Sequence, residues 1–220
     1  MQDTPTIHLV DNGSARAAHD WARHLPWPVQ RYAGGREFLA VWARTLADAS
    51  CRTPGCVVSE LRLPSMDGVA FQQRLAAQGD PPPVVFLAGE ADAVLGLRAM
   101  RAGAADVLLR PLAAGELRER VNWATRGDLA RCRARRQRLD VGERFARLTP
   151  REREVLDGVV DGATSKAIAA ELGISPKTVE LHRARIMTKL EVDSLACLVR
   201  LWLVVREGEP AAGPGRAWRR

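Results

Sequence analysis

Two kinds of hydrophobic spacing divide the chain. Up to about residue 122, short continuous apolar runs alternate with segments whose apolar residues recur every three or four positions. The short runs predict strands at Thr6–Val10, Val29–Tyr32, Cys56–Ser59, Val84–Leu87 and Asp106–Leu109, since strands buried on both faces are apolar almost throughout. The helical spacing predicts helices over about Ser14–His24, Arg36–Ala47, Gly68–Gln78 and Ala91–Ala102, and from Ala113 onward. Five such strand–helix units predict an α/β fold, a doubly wound five-stranded parallel sheet whose site lies at the carboxyl ends of its strands. Asp11, Glu60, Ala88 and Arg110 stand at those ends.

Beyond residue 145 only helical spacing remains, which predicts an all-α second domain. Thr149 and Glu152 are spaced for a capping box at the start of one helix. Thr164 or Ser165 caps a second, whose inner positions are Ile168, Ala169 and Leu172 and which Gly173 ends. Ser175 and Pro176 open a third at once, with an inner stripe of Val179, Ile186 and Leu190. Its N-terminal half carries Lys177, Thr178, Glu180, His182, Arg183 and Arg185, a polar surface of the kind that enters a major groove. Leu195, Leu198, Val199, Trp202 and Val205 give a fourth helix an apolar stripe. Four short helices are too few to bury all of that stripe, so part of it is expected to pair across a two-fold axis in a homodimer, against core burial of Leu195, Leu198 and Trp202.

The residues LTPREREVL and SKAIAAELGISPKTVELHRARIMTKL resemble the four-helix LuxR-type DNA-binding domain of the NarL/FixJ response regulators, over roughly residues 145 to 207. The resemblance implies a transcription regulator that binds double-stranded DNA. It puts Glu180, Leu181 and Ala184 at base edges, with Lys177, Thr178, His182 and Arg183 nearer the phosphates. A structural role for His182 or Arg185, packed over the preceding helix, is the competing reading.

The segments HLVDNG, VVSELRLPSMDG, VVFLAGEAD and ADVLLRPL are similar to the four signature stretches of response-regulator receiver domains. Residue by residue the chemistry departs from that family. Its paired acids after the first strand are Asp11 and Asn12 here, and its phosphoacceptor Asp is Glu60. Its hydroxyl residue is Ala88, its Lys is Arg110 and its aromatic switch residue is Val107. The resemblance also implies a cis peptide bond before Pro111. Phosphorylating a carboxylate requires a divalent cation held by oxygen ligands, and the extra methylene of Glu60 extends into the space that cation and phosphoryl group need. Glu60 and Arg110 are instead matched for a bidentate ion pair. Two readings follow: the pair imitates a phosphorylated site and holds the domain in its output form, or the pocket has decayed and the fold survives for docking. Either way the regulator is expected to be independent of phosphorylation. A signalling adaptor, whose pseudo-receiver binds a partner protein with DNA binding secondary, is the alternative function.

The charge of +7 is unevenly spread. Residues 123–147 hold 8 Arg against 3 acids, whereas 1–122 balance at 13 each and 148–207 at 9 each. The basic stretch either adds phosphate contacts or solvates a linker helix. The expected division is 1–122 pseudo-receiver, 123–144 basic helical linker, 145–210 DNA-binding domain and 211–220 basic tail. Cys51, Cys56, Cys132 and Cys197 lack paired metal-ligand spacing and are expected to be reduced thiols, a Cys51–Cys56 pair being the one alternative. His8, His19 and His24 are scattered, so no metal or cofactor is expected. Without an apolar span or a leader pattern a cytoplasmic location is expected, and without phosphate loops or nucleophile sets enzymatic activity is not. A sensor kinase or other protein partner stays open.

Overall fold

The computed structural model describes residues 4–11, 25–48 and 52–206. Asn12, the helix expected over Ser14–His24 with His19 inside it, Cys51 and the tail expected over 211–220 lie outside the described residues. The chain divides into two compact units between Ala134 and Arg135.

In chain order the first unit contains β1 (Thr6–Val10), β2 (Val29–Tyr32), α1 (Gly35–Asp48), β3 (Gly55–Glu60), a small antiparallel hairpin of β4 (Arg62–Leu63) and β5 (Met66–Asp67), α2 (Gly68–Ala77), β6 (Val84–Ala88), α3 (Ala93–Arg101), β7 (Asp106–Leu109) and the start of α4 (Ala114–Ala146). The main sheet is parallel throughout, in the order β2-β1-β3-β6-β7. Because side chains alternate across a strand, each central strand feeds two cores. Val10, Val57 and Phe86 pack with Phe38, Phe71 and Leu75 of α1 and α2, whereas Ile7, Leu9, Cys56, Val58 and Val85 pack with Leu117, Val121 and Ala124 of α4. Gly55 is required where β1 and β3 meet, since a Cβ there would lie 2.0 Å from the Thr6 carbonyl oxygen. Two details differ from the sequence expectation. The helix expected from Ala91 begins at Ala93 after a 3-10 turn at Glu90–Asp92, and the β4–β5 hairpin is too short to leave a period in the sequence.

The first unit also reaches past the expected boundary at 122, because the next turns of α4 carry buried groups. Thr125, Asp128 and Cys132 are all buried. Asp128 receives both terminal nitrogens of Arg52 at 2.6 Å, the Gly55 amide at 2.8 Å and an Arg131 nitrogen at 2.6 Å. Arg52 is itself fully buried, donates to the Asp80 carbonyl at 2.7 Å and lies over the Trp42 ring. Residues 123–144, expected as a linker, are thus a stretch of one long helix whose first part belongs to the first unit. Cys56 is a free, buried thiol, and its alternative partner Cys51 lies outside the described residues.

The second unit holds the end of α4, then α5 (Pro150–Val160), α6 (Ser165–Leu172), α7 (Pro176–Leu190) and α8 (Leu195–Arg206). Thr149 and Glu152 form the capping box, Thr164 caps α6, Gly173 ends it at φ +65°, and Ser175 caps α7 with Pro176 following. Leu148, Val155, Leu156, Ile168, Val179, Ile186, Leu190 and Leu198 form the core. Glu152 also accepts from Lys189 at 2.6 Å, which joins the start of α5 to the end of α7. Burial opposes the Glu152 charge, but the Lys189 contact and the capping box outweigh it and hold the carboxyl below its usual pKa.

Removing one partner of the buried Arg52–Asp128 pair leaves an uncompensated charge in the interior. Asp128→Ala is expected to destabilise the first unit by about 3–5 kcal/mol, and Arg52→Met with Asp128→Leu to recover much of that, measured by urea unfolding. His8 supplies a pH test. Burial and the nearby Arg52 cation lower its pKa from 6.5 to about 4, while its Nδ1 lies 3.1 Å from the Tyr32 hydroxyl. The unfolded chain binds the proton more readily, so stability falls as pH drops from 6.5 to about 4. The loss is about 3 kcal/mol. Asp128, whose carboxyl is held below its usual value by Arg52 against the effect of burial, loses its contribution only at still lower pH. His8→Gln should flatten the unfolding free energy across the His8 window.

Candidate functional site

The register aligns the carboxyl ends of the strands. Val10 pairs with Ser59, Glu60 with Leu87 and Ala88 with Leu109, so Asp11, Glu60, Ala88 and Arg110 come together at the carboxyl end of the sheet. There Glu60 and Arg110 form a bidentate ion pair, Nη1 to Oε2 at 2.8 Å and Nη2 to Oε1 at 2.5 Å. The hydrogen bond to Glu60 raises the Arg110 pKa further, so this cation is permanent. The Glu60 side chain is 15% exposed and that of Arg110 42% exposed, which places the pair at the rim of the site. The Arg110–Pro111 peptide bond is cis. Ala88 is buried and has no hydroxyl to offer. Val107 is half-buried, with a methyl group 2.9 Å from where a Cβ on Gly96 of α3 would sit, so it packs under that helix.

A divalent cation does not fit the described donors. Both Glu60 oxygens are engaged by Arg110, and Asp11 Oδ2 lies 3.2 Å from Arg31. Two carboxylates already committed to guanidinium groups give a hard cation little to replace its water shell with.

In the second unit, α7 separates cleanly into two sides. Val179, Ile186 and Leu190 are buried, whereas Lys177, Glu180, Leu181, Ala184 and Arg185 are exposed and recur at steps of three and four. Thr178 pairs its hydroxyl with that of Ser175 at 2.8 Å and so belongs to the helix cap. His182 is half-buried. Arg183 reaches back to α6, its Nη1 lying 3.5 Å from Ser165 Oγ, and the same hydroxyl donates to Glu180.

The family described as Response regulator receiver domain matches residues 29–122, and that described as Bacterial regulatory proteins, luxR family, matches 146–202. Transcriptional regulatory protein FixJ of Bradyrhizobium diazoefficiens is 40% identical over 147 residues, 67% of this chain and 72% of that protein. The chain belongs to the two-component response regulators with a LuxR-type DNA-binding domain. Transcriptional regulatory protein TdiR of Thauera aromatica is 36% identical over 216 residues, 96% of this chain and 90% of the relative. The solved structure of response regulator StyR superimposes with a TM-score of 0.79 at 32% identity, covering 91% of this chain and 98% of that one.

As a response regulator of this class the chain is a transcription regulator that binds DNA. No helix among its described residues is long and apolar enough to cross a membrane. Of the expected dimer residues, Leu198 is corrected to core: it is 2% exposed and belongs to the cluster of Val155, Ile168 and Ile186. Trp202 is half-buried and packs against the same core. Val199 is half-buried, whereas Leu195 and Leu203 are exposed, so the outward stripe is Leu195, Val199 and Leu203 at four-residue steps. Arg183, rather than the exposed Arg185, is the arginine of α7 that packs toward α6, because it is the one that faces Ser165. The sequence reading also missed Ser165 as the partner of Glu180, although its place beside the Thr164 cap left its hydroxyl unassigned.

Substitutions on α8 should separate the two roles. Leu198→Ala is expected to destabilise the second unit by about 2–5 kcal/mol, as large-to-small core changes do. Leu195→Ser should stay within about 0.5 kcal/mol. Thermal melts followed by circular dichroism distinguish them.

Proposed function

We propose that this regulator works without phosphorylation, its receiver held in the output-competent form by the Glu60–Arg110 pair. The observation that carries the reading is the bidentate geometry, which occupies both oxygens of the acceptor-equivalent carboxylate with a fixed cation. Such a carboxylate is poorly available as a nucleophile, and Ala88 has no hydroxyl to report a phosphoryl group. The arrangement sets that carboxylate instead against a guanidinium that stays charged.

Incubation with acetyl phosphate and magnesium is expected to add no mass to the protein and to leave its DNA affinity unchanged. Glu60→Asp alone should remain essentially unmodified, since groups that act as a unit do not restore function singly. Glu60→Gln keeps the shape and removes the charge. It should lower DNA affinity by about 5-fold or more, the coupling expected between a switch site and an output site. Unchanged affinity would favour a retired pocket, and a phosphorylated wild-type chain with raised affinity would exclude the proposal.

On DNA, α7 serves as the recognition helix, with Glu180, Leu181 and Ala184 toward base edges and Lys177 at the phosphates. Lys177→Ala should weaken binding to all sequences alike and reduce the salt slope by about 0.9 unit, the loss of one phosphate contact. Fluorescence titrations at several salt concentrations read this out. We further propose a homodimer paired through Leu195, Val199 and Leu203, acting on DNA in the cytoplasm. The adaptor reading draws on a different observation, the exposure of Val94 (77%) and Leu97 (56%) on α3. A Val94→Ser, Leu97→Ser chain that keeps full DNA binding but loses partner capture would favour it.

A further inference from the structure

We infer that Ser165 positions Glu180 of α7 to accept a hydrogen bond from the amino group of a cytosine in the major groove. The inference rests on the reading of α7 as the recognition helix. Glu180 sits one turn into α7, where recognition helices meet base edges, and its side chain is 62% exposed. It shares its face with Lys177, Leu181 and Ala184. A carboxylate held at that place is repelled by phosphates, so it weakens non-specific binding unless it meets a donor. Among base edges in the major groove, the cytosine amino group is the donor that a single carboxylate suits.

The side chain is also held in place. Thr164 provides the cap of α6, accepting from the Ala167 amide at 3.2 Å, which leaves the Ser165 hydroxyl available for α7. That hydroxyl donates to Glu180 Oε1, and Arg183 Nε lies 4.0 Å from Glu180 Oε2. Arg183 is drawn toward α6 by the same pair, while Lys177 and Arg185 stay exposed on either side of Glu180 to meet phosphates. Leu181, half-exposed beside Glu180, offers an apolar surface suited to a thymine methyl group.

The test is selection of bound duplexes from a random library by the full chain, in parallel for wild type, Glu180→Gln and Ser165→Ala, with affinity for an unselected duplex measured alongside. Wild type should select a motif with a cytosine favoured about 10-fold at one position of each half-site. Glu180→Gln should move that preference to adenine, which a Gln amide reads through two hydrogen bonds, and leave the other positions unchanged. It should also bind the unselected duplex more tightly, because a charge that repels phosphates has gone. Ser165→Ala should relax the cytosine preference at that position alone, a change that general loss of structure would not produce. The same motif from wild type and Glu180→Gln overturns the inference and leaves α7 as the recognition helix. No motif from wild type overturns both. Circular dichroism melts check that each variant is folded; neither substitution removes a core side chain or the Thr164 cap.

Discussion

Arg52, which precedes β3, and Asp128, on α4, form an ion pair with both side chains fully buried, and the first unit is assembled around it. Moving two charges out of water is expensive, and the pair is tolerated because its remaining donors and acceptors are met by the Gly55 amide, the Asp80 carbonyl and Arg131. The geometry clamps α4 against the amino ends of the strands. His8 stays neutral in the interior chiefly because it is buried, with Arg52 adding to that effect and Asp128 opposing it.

At the opposite end of the strands a second Arg–carboxylate pair has a different character. Glu60 and Arg110 lie at a partly exposed rim, where solvent screens their attraction and the pair contributes little to stability. Its consequence is chemical. It occupies both oxygens of the Glu60 carboxylate, and the neighbouring Ala88 and Val107 carry neither a hydroxyl nor an aromatic ring.

In the second unit, local caps and one ion pair place α7. The capping box at Thr149–Glu152 is also the docking point of Lys189, so the start of α5 and the end of α7 are held by the same carboxylate. Burial of Val179, Ile186 and Leu190 fixes the rotation of α7 about its axis and thereby decides which residues face outward. Exposure of Glu180, Leu181 and Ala184 follows from that rotation.

The sequence determined whatever depends on neighbours along the chain. Apolar runs located the strands of the parallel sheet, and Thr149, Gly173, Ser175 and Pro176 marked helix ends, because caps and periodicity act within a few residues. The candidate site was legible too, since a parallel sheet brings the residues after its strands together. Contacts between distant segments were decided only by the tertiary structure. Arg52 and Asp128 carry no sequence signal for each other, and the end of the first unit moved past 122 because of them. Leu198 went to the core while Leu195 stayed outside, although both fit the same helical period, because a period gives a stripe but not which of its members the neighbouring helices cover. Ser165 and Glu180 met for the same reason: the turn between α6 and α7 sets an angle that brings two polar residues together, and no local rule specifies it.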